Sequence, residues 1–545
     1  MFKPDFKKYF DTLVNTQIWR SMFRGGTWKN TSRDRAQHIL GNVWLHLHPA
    51  RIRPRAVKFT YTWGLGGLSF LLFLVLTVSG IILMFYYRPT VGLAYQDMKD
   101  LEFVVSLGTF MRNIHRWAAH AMVLFVMLHM IRVFLTGAYK SPREFNWGVG
   151  VVLLLLTFFL SFTGYLLPWD QLAIWAVTVG TNMASATPFV GAEGPFSSLL
   201  GVGLKNDARF GLLGGTSVGS ATLVRFYVLH CIAVPFLTGI LMIVHFWRVR
   251  KDGFSAAAYP DDQPHKKVET WPNLIVREYI GAILMLIVLV AWAILQNAPL
   301  EEMANPNVTP NPSKAPWYFL GLQELLVYFD PWIAGVVLPG IIIMGLIAIP
   351  YIDPDPKTGV GYYSLKERPF ANTVFLTGMA AWFILIIIGT FMRGPNWAWY
   401  WPWESWAFHK PPPPPTFDLP LMLGGGLLGA YFLIGLALPR LIRTDFHIKS
   451  SLIKVLGIAV GLALILGVLP MFSIIQGVWL GFAVFLYLML GVIMPTKYLK
   501  KVSPLQYVVC MVLLLMMIGV FLKMSMRLGF DIKYILSIPQ VNLNI

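Results

Sequence analysis

Eleven apolar stretches dominate this sequence, and each is long enough to cross a lipid bilayer as a helix. Because the bilayer core supplies no water to the backbone, a spanning segment must pair its own peptide groups, and stretches of this length favour helices. Of the 545 residues, 56% are hydrophobic and 13% are charged, which is typical of integral membrane proteins. The predicted spans are residues 64–87, 113–136, 147–168, 228–249, 275–296, 332–350, 372–392, 419–441, 452–470, 474–495 and 505–526. We therefore expect an all-α integral membrane protein with about eleven spans.

The charges are distributed unevenly between the two sides of the predicted membrane. The formal net charge is +18, from 44 Lys and Arg against 26 Asp and Glu. The amino-terminal segment and the loops on its side carry 31 of the cations, the opposite side carries 12, and Arg116 lies within a span. By the positive-inside rule the amino terminus is cytoplasmic. The basic balance therefore reflects topology and contact with anionic lipid, rather than nucleic-acid binding.

Two histidine pairs lie inside the second and fourth apolar stretches. His115 and His129 are fourteen residues apart, and His230 and His245 are fifteen apart. At about 100° per residue, these spacings return to within roughly 40° and 60° of the starting direction, so each pair shares one helix face. The members of a pair are about 21 Å apart along the helix axis. His120 does not fit this spacing, and we interpret it as a polar residue that faces the bundle.

The topology decides which histidines meet. The second and fourth spans both run from outside to inside, so His115 pairs with His230 at the outer level and His129 pairs with His245 at the inner level. Haem iron with two axial histidines fits such stacked sites. Zinc fits poorly, because no Cys, Asp or Glu lies nearby to complete a tetrahedral set.

Two glycine pairs repeat the histidine period in neighbouring spans. Gly66 and Gly80 are fourteen residues apart in the first span, and Gly150 and Gly164 are fourteen apart in the third. Glycines are common in membrane helices and mean little alone. At matched spacing they predict places where a flat macrocycle approaches the backbone closely, because glycine has no side chain.

Cations lie near both predicted haem levels. Arg112 and Arg116 flank the outer level, whereas Arg132, Arg250 and Lys251 cluster beyond the inner level. Arginine suits bidentate pairing with carboxylates such as haem propionates. The alternative is that these side chains extend to the membrane surface.

The remaining segments carry weaker signals. Residues 1–60 form a basic segment that either lies on the membrane surface or extends into the cytoplasm. The loops 169–227 and 297–331 are long enough to expect a function, and the loop 393–418 combines an interfacial tryptophan belt with a stiff run of prolines. Residues 452–495 are too long for one crossing, and Pro470, Ser473 and Gln476 predict a tight hairpin within them.

Several motifs together resemble one protein family. They are, in chain order, GLGG at 64–67, FYYRPT at 85–90, IHRW at 114–117, LTGAYKSPRE at 135–144, TGYLLPWDQ at 163–171 and TSVGSATLVRFY at 216–227. Over residues ~60 to ~390 the chain resembles the cytochrome b of quinol–cytochrome c reductases, the cytochrome bc complexes. The fifteen-residue spacing resembles the branch of chloroplasts, cyanobacteria and many bacteria, in which the two halves are usually separate chains.

The resemblance implies a domain organisation. It places a four-helix dihaem domain at residues 61–255, after the amino-terminal segment 1–60. A second domain at 256–445 carries the outer quinol-site loop, and a three-helix extension occupies 446–545.

The resemblance also implies a Q-cycle in a bacterial cytoplasmic membrane. Quinol is oxidised near the outer face, one electron passes to a Rieske iron–sulfur protein, and the other crosses two non-covalent b haems to quinone at the cytoplasmic face. The implied partners are that Rieske protein, a c-type cytochrome or soluble acceptor, the quinone pool, membrane lipid and a second copy of the complex.

Three departures from the family pattern stand out. The outer quinol motif Pro-Glu-Trp-Tyr is Ala315-Pro316-Trp317-Tyr318 here, so its acid is missing. We hypothesise that Glu324 replaces that acid as the proton acceptor, the alternative being an acid favoured by a helix dipole. Gly64 stands where some relatives carry a haem-attaching cysteine, so we expect no covalent c-type haem. The three additional spans hold no titratable cluster in their apolar runs, and we expect a packing or docking role for them.

Two other functions remain open at this stage. A dihaem membrane anchor of another quinone-linked oxidoreductase also uses paired histidines, but it lacks the PWDQ motif found here at residues 168–171 and the WYF loop at 317–319. An ion-coupled transporter predicts broken helices with polar residues at mid-membrane. The sequence selects neither the quinone nor the inner-site residues, for which the candidates are Asp261, Asp262, His265 and Lys267.

Overall fold

Eleven helices within the described residues are long and apolar enough to cross a membrane, which confirms the predicted all-α membrane architecture. The structure, a computed structural model, describes residues 6–16, 30–42, 45–258, 266–355, 357–408, 410–412, 414–442, 445–468 and 473–545. The spanning helices α1 to α11 are Leu65–Met84, Gly108–Leu135, Glu144–Tyr165, Ser220–Asp252, Ile275–Leu295, Trp332–Ile352, Pro369–Phe391, Leu421–Leu441, Ile448–Val468, Ile474–Tyr498 and Pro504–Phe530.

Short elements connect the spanning helices. The short α-helices are Phe6–Val14, Ser32–Gly41, Pro54–Val57, Phe59–Thr62, Ala94–Phe103, Gln171–Ser185, Arg209–Leu213, Thr270–Asn273 and Trp317–Leu325. The 3₁₀ turns are Leu45–Leu47, Ser197–Leu200, Pro395–Trp397 and Pro539–Val541. Strand Arg51–Ile52 pairs antiparallel with Val268–Glu269, and Ser537–Ile538 pairs antiparallel with Leu543–Asn544.

Helix α2 lies at the centre of the first half of the molecule. It packs against α1, α3 and α5, while α3 packs against α4 and α6. The contact between α1, α2 and α5 is built on Leu72, Ala118 and Ala293, all of which are buried. Small residues at such a contact let helix backbones approach closely, which is how packing holds helices together in lipid. The histidine-bearing α2 is therefore fixed on several sides.

A buried ionic cluster joins the first half of the chain to the second. Lys140, in the turn after α2, lies 3.2 Å from a carboxylate oxygen of Asp353 at the end of α6. Tyr139 donates a hydrogen bond to the same carboxylate, and Arg368 contacts both groups. Burial lowers the pKa of Lys140, although the carboxylate opposes that shift. The cluster ties the α2–α3 turn to the segment that precedes α7.

The last three helices pack against the rest of the molecule through their own apolar core. Helices α9 and α10 form the predicted hairpin, and α11 packs against α6, α8 and α10. Ser473 caps α10, because its hydroxyl accepts from the Gln476 backbone while Gln476 accepts from the Ser473 backbone. Pro470 lies outside the described residues. Met511, Leu515 and Ile518 are fully buried in this core, so α11 is an integral part of the bundle.

The chain that follows α11 returns to segments far from it in sequence. The backbone carbonyl of Val541 accepts a hydrogen bond from Phe196, and that of Asn544 accepts from the Trp332 indole. The side chains of Tyr534 and Asn544 both donate to Asp330. Residues 531–545, the C-terminal tail, therefore connect the extension to the loops before α4 and α6.

Candidate functional site

The structure places His115 of α2 beside His230 of α4. Their ring centroids are 6.2 Å apart and the ring planes are inclined by 81°. Two imidazoles on opposite sides of one metal ion, at about 2 Å per metal–nitrogen bond, have ring centroids about 6 Å apart. His129 and His245, the second pair, are close enough to interact electrostatically. The two pairs lie at two levels of the same helices.

A π-helical turn explains the unequal histidine spacings. Leu229–Ala233 forms this turn in α4 and includes His230. A π turn takes up one additional residue relative to regular α-helix. The fifteen-residue separation of His230 and His245 therefore has the angular phase of the fourteen-residue separation in α2. In a regular α-helix the directions of His230 and His245 would differ by roughly 60°, and the π turn reduces this angle.

Contacts on neighbouring helices fix the tautomers of the first pair. Nδ1 of His115 lies 2.9 Å from the Ser79 hydroxyl, which donates its own proton to the carbonyl of Val75. Nδ1 of His230 lies 3.1 Å from the carbonyl of Leu160. A carbonyl and an engaged hydroxyl can only accept, so both Nδ1 atoms carry the proton. Both Nε2 atoms are left with free lone pairs, the form that binds a metal.

The contacts of the second pair are weaker among the described residues. Nδ1 of His129 is buried and has no described hydrogen-bond partner, so packing orients that ring. Nδ1 of His245 is also buried without a close partner, although the Asn146 backbone interacts with this imidazole.

Each of the four predicted glycines lies against one of the four histidines. A methyl group on Gly66 would lie 3.2 Å from Cε1 of His129, and one on Gly80 would lie 3.2 Å from Cε1 of His115. One on Gly150 would lie 3.6 Å from Cε1 of His245. One on Gly164 would lie 2.4 Å from Cε1 of His230. The glycines therefore make room for the imidazoles themselves, a function that the matched spacing only partly indicates.

The two arginines near the first pair have different surroundings. Arg112 is buried, and its guanidinium donates to the carbonyls of Ala298 and Pro299. Arg116 stacks its guanidinium over the Tyr165 ring at 4.9 Å, and its buried Nε has no partner among the described residues. Arg112 thus joins α2 to the segment after α5, while Arg116 keeps a donor for an anionic ligand.

The cations near the second pair lie at the ends of α2 and α4. Arg132 stacks over Tyr61 at 4.6 Å and donates to its backbone carbonyl. Lys251 is exposed and lies over the Trp247 ring, and Arg250 is partly exposed. Arg248 is a further cation that sequence reasoning missed, and it pairs with Asp252 at 3.1 Å.

An open cavity adjoins Arg132 through Tyr61. Its volume is about 610 Å³, within the range of about 300–1,000 Å³ that small-molecule sites occupy. Burial raises the pKa of Tyr61. The lining residues are Arg55, Lys58, Thr60, Tyr61, Ala257, Ala258, Tyr362 and Tyr363. Of the predicted inner-site candidates, Lys267 is exposed, and Asp261, Asp262 and His265 lie outside the described residues.

The Trp317–Leu325 helix brings the predicted outer-site motif to α2. Tyr318 is buried, and its ring meets the His120 ring at 5.7 Å. The Trp317 indole donates to Nδ1 of His120 at 3.0 Å. Gln323 holds the preceding loop by accepting from the Ala315 backbone. His120, which the spacing did not select, is therefore a polar α2 side chain in contact with this motif, beside the apolar Val123 and Met127.

Glu324 is fully buried and surrounded by donors. Arg393 lies 2.5 Å from one carboxylate oxygen, and the Tyr328 hydroxyl and Trp397 indole also donate to the carboxylate. Burial lowers the pKa of Arg393, but the hydrogen bond and the charge of Glu324, together with Tyr328, raise the pKa overall. Both carboxylate oxygens already accept hydrogen bonds from these donors, at the positions that an incoming proton needs. This environment suits a structural ion pair better than a proton acceptor.

Among the described residues, no group of three or more His, Cys, Asp or Glu side chains could hold a metal ion. The paired imidazoles are a donor set that fits an iron porphyrin, whose macrocycle supplies the remaining ligands.

Comparisons with known proteins identify the family of this chain. The family model described as "Cytochrome b/b6/petB" matches residues 52–253, and the one described as "Cytochrome b(C-terminal)/b6/petD" matches residues 303–408. The "Cytochrome b6" of Gracilaria tenuistipitata var. liui is 44% identical over 191 residues, 35% of this chain and 82% of the relative. The "Cytochrome b6" of Synechococcus sp. (strain JA-3-3Ab) is 43% identical over 192 residues, with the same shares of each chain.

A solved structure resembles this chain in fold over a larger part of its length. A chain of a "Hyperthermophilic respiratory Complex III" aligns with a TM-score of 0.53 and 24% sequence identity. The alignment covers 70% of this chain and 91% of the other. At that identity the likeness concerns the fold alone.

Proposed function

This chain belongs to the cytochrome b/b6 family, and on that premise we propose that it is the dihaem cytochrome b subunit of a quinol-oxidising cytochrome bc complex. The observation that carries the proposal is the facing pair His115 and His230, 6.2 Å apart with their Nδ1 protons directed away from each other. Histidines that served only to pack two membrane helices would not be expected to face each other with both Nδ1 protons directed outward.

The residues of the two sites have distinct tasks in this proposal. His115 and His230 would hold the outer b-type haem, and His129 and His245 the inner one, and the bound groups supply one-electron transfer. Gly80 and Gly164 allow the first pair to sit close to its neighbouring helices, and Gly66 and Gly150 do the same for the second. The partnerless Nε of Arg116 suits an outer haem carboxylate.

Quinol oxidation is proposed at the outer level, beside Trp317 and Tyr318. Tyr318 is buried against α2, and Trp317 is fixed by its bond to His120. We propose that Glu324 positions this helix through Arg393, since its carboxylate is already paired. The cytoplasmic half-reaction, quinone reduction, is proposed in the 610 Å³ cavity next to Tyr61 and Arg132. Arg250 and Lys251 are proposed to face a carboxylate of the inner haem.

The proposal implies a multisubunit complex. The outer site would deliver one electron to a Rieske iron–sulfur protein, which passes it to a c-type cytochrome or soluble acceptor. The other electron would cross the membrane to quinone, and protons released outside would contribute to a gradient. A homodimeric complex in a bacterial cytoplasmic membrane, with no covalent haem on this chain, completes the proposal.

A spectroscopic experiment tests the central proposal. The purified complex, reduced with dithionite and compared with its oxidised form, should show two b-type haem components with different midpoint potentials. Replacing His129 and His245 together by Ala should remove one component and leave the outer one. The matched control is His447→Asn, an exposed histidine on the segment before α9. Colourless wild-type protein, or full haem content in the double variant, contradicts the proposal.

A further inference from the structure

His120 lies on α2 but faces away from the histidine pairs. It is five residues after His115, so it points about 140° around the helix from that ligand candidate. Its ring contacts the rings of Trp117 and Tyr318 at 5.4 and 5.7 Å. It therefore faces the outer-site motif rather than the haem.

The bond from Trp317 determines how the His120 ring is protonated. An indole N–H can only donate, and it lies 3.0 Å from Nδ1 of His120. Nδ1 is therefore the acceptor, and a neutral imidazole that accepts at Nδ1 carries its proton on Nε2. The second nitrogen of this ring, Nε2, is thus a hydrogen-bond donor.

That donor has no partner among the described residues. Nε2 of His120 is completely buried, and no described side chain or backbone group accepts from it. Buried N–H groups in folded proteins nearly always have a partner, and an exception indicates a group that binds something else. The missing partner must be a hydrogen-bond acceptor.

The groups around His120 supply donors and aromatic faces. On α2 the nearby charged group is Arg116, whose Nε is also buried without a described partner. The Trp317–Leu325 helix contributes Trp317 and the phenol of Tyr318, and α5 contributes Trp292, which contacts Trp117. Pro316 stands at the position of the acidic residue in the family motif. An uncharged or anionic oxygen between aromatic rings matches these surroundings, and a quinol or quinone oxygen is such a group.

We propose that Nε2–H of His120 donates a hydrogen bond to a ring oxygen of the quinol bound beside Trp317 and Tyr318. This inference rests on the proposed quinol oxidation. The bond holds the quinol ring in place while its hydroxyl proton leaves. The quinol would lose two electrons, one toward the haem that His115 and His230 would hold and one toward the proposed iron–sulfur partner, and its two protons would pass to water. His120 keeps its own proton throughout.

Two substitutions distinguish the function of Nδ1, which accepts from Trp317, from that of Nε2, which donates to the quinol. In His120→Asn the amide oxygen can still accept from Trp317, but nothing donates from the Nε2 position. In His120→Gln the longer amide places an N–H at the Nε2 position. Using the purified complex with short-chain ubiquinol and menaquinol analogues, we expect His120→Asn to raise KM about 10-fold, the loss of one hydrogen bond. His120→Gln should stay within about 3-fold of the parent.

The remaining measurements distinguish failure of the His120 inference from failure of the proposed quinol oxidation. His447→Asn should leave KM and kcat unchanged. An unchanged KM in His120→Asn, or equal increases in both variants, would overturn the inference, because the ring would then only pack against Trp317. A dithionite spectrum on every variant should show both haems. If the parent complex itself holds haem but does not oxidise quinol, the proposed function fails before this inference is reached.

Discussion

At the scale of single residues, the space beside each histidine differs among the four glycines. A methyl group on Gly164 would lie 2.4 Å from Cε1 of His230, far below an ordinary contact, whereas one on Gly150 would lie 3.6 Å from Cε1 of His245. The His230 ring is also held by the Leu160 carbonyl and the Thr163 hydroxyl. It therefore has little freedom to move away.

Because of this difference, we expect Gly164→Ala and Gly150→Ala to have different effects on haem binding. We expect Gly164→Ala to lose or distort the outer haem site, since the new methyl group would displace His230. Gly150→Ala should keep both haems, because its methyl group makes ordinary van der Waals contact. Haem content per chain and the reduced spectrum measure both outcomes. Gly148→Ala, with no atom within 4 Å of the new methyl, is the control. Normal spectra for Gly164→Ala would contradict the assignment.

A second residue-scale prediction concerns Glu324 and Arg393. Replacing Glu324 by Gln leaves the buried Arg393 guanidinium without its counter-ion, and we expect a loss of about 3–5 kcal/mol in stability. The midpoint of thermal unfolding in detergent measures this loss. Combining Glu324→Gln with Arg393→Met should recover much of the stability, because the uncompensated charge is removed.

Turnover of the same double variant separates the two roles of Glu324. Recovered quinol oxidation together with recovered stability supports a positioning carboxylate. Recovered stability without turnover would instead make Glu324 the proton acceptor. If Glu324→Gln left the midpoint of thermal unfolding unchanged, the ion pair would not contribute to the stability of the protein.

At the scale of elements, the π turn of α4 reconciles the two histidine spacings. Leu229–Ala233 holds the additional residue at the level of His230. The turn packs against α1 and α3 on one side, while Ile232 is exposed on the other, and neighbouring helices compensate for a disturbed backbone. The consequence is that α4 presents both histidines toward α2.

Changing the length of α4 tests this function of the turn. Deleting Cys231 shortens the spacing to that of α2, so the segment can become regular α-helix with both histidines in phase. We expect this variant to keep both haems. Inserting one alanine after Leu241 instead adds a second unmatched residue and rotates His245 by about 100°, so the inner haem should be lost. Reduced spectra compare the two, and the reverse result would contradict the explanation.

At the scale of the whole molecule, the C-terminal tail connects parts that are distant in sequence. It contacts Phe196 before α4, Trp332 at the start of α6 and Phe417 before α8. The three additional helices, for which the sequence predicts packing or docking, thus end in a segment that fastens three loops on one face of the bundle. Asp330, five residues beyond the Trp317–Leu325 helix, receives two of these bonds.

Removing residues 532–545 should therefore weaken the loops without removing the haem sites. Each lost hydrogen bond contributes roughly 1 kcal/mol, so the midpoint of thermal unfolding should fall by several degrees. Quinol oxidation should slow, because the tail holds the segment next to the outer site, while the haem spectrum stays normal. Asp330→Ala removes two tail contacts and should show a smaller effect of the same kind. Unchanged unfolding and turnover in the truncated chain would contradict this.

Much of the architecture was determined by the sequence alone. Apolar stretches of bilayer length leave the backbone only one way to satisfy its hydrogen bonds, so the eleven spans and the hairpin of α9 and α10 could be read directly. Helical periodicity likewise placed each histidine pair on one face, and the alternation of cations predicted which ends point the same way.

The contacts that give the site its chemistry were decided only by tertiary structure. The pairing of Glu324 with Arg393 spans 69 residues, and the bond from Trp317 to His120 spans 197. Neither pair carries a local pattern, because the partners meet through helix packing. Helix packing also determines three other features. It places each glycine against a histidine, it makes room for the π turn that brings the two histidines of α4 into phase, and it brings the C-terminal tail back to distant loops. A spanning helix satisfies its backbone within its own sequence, but its side chains find partners only on neighbouring helices.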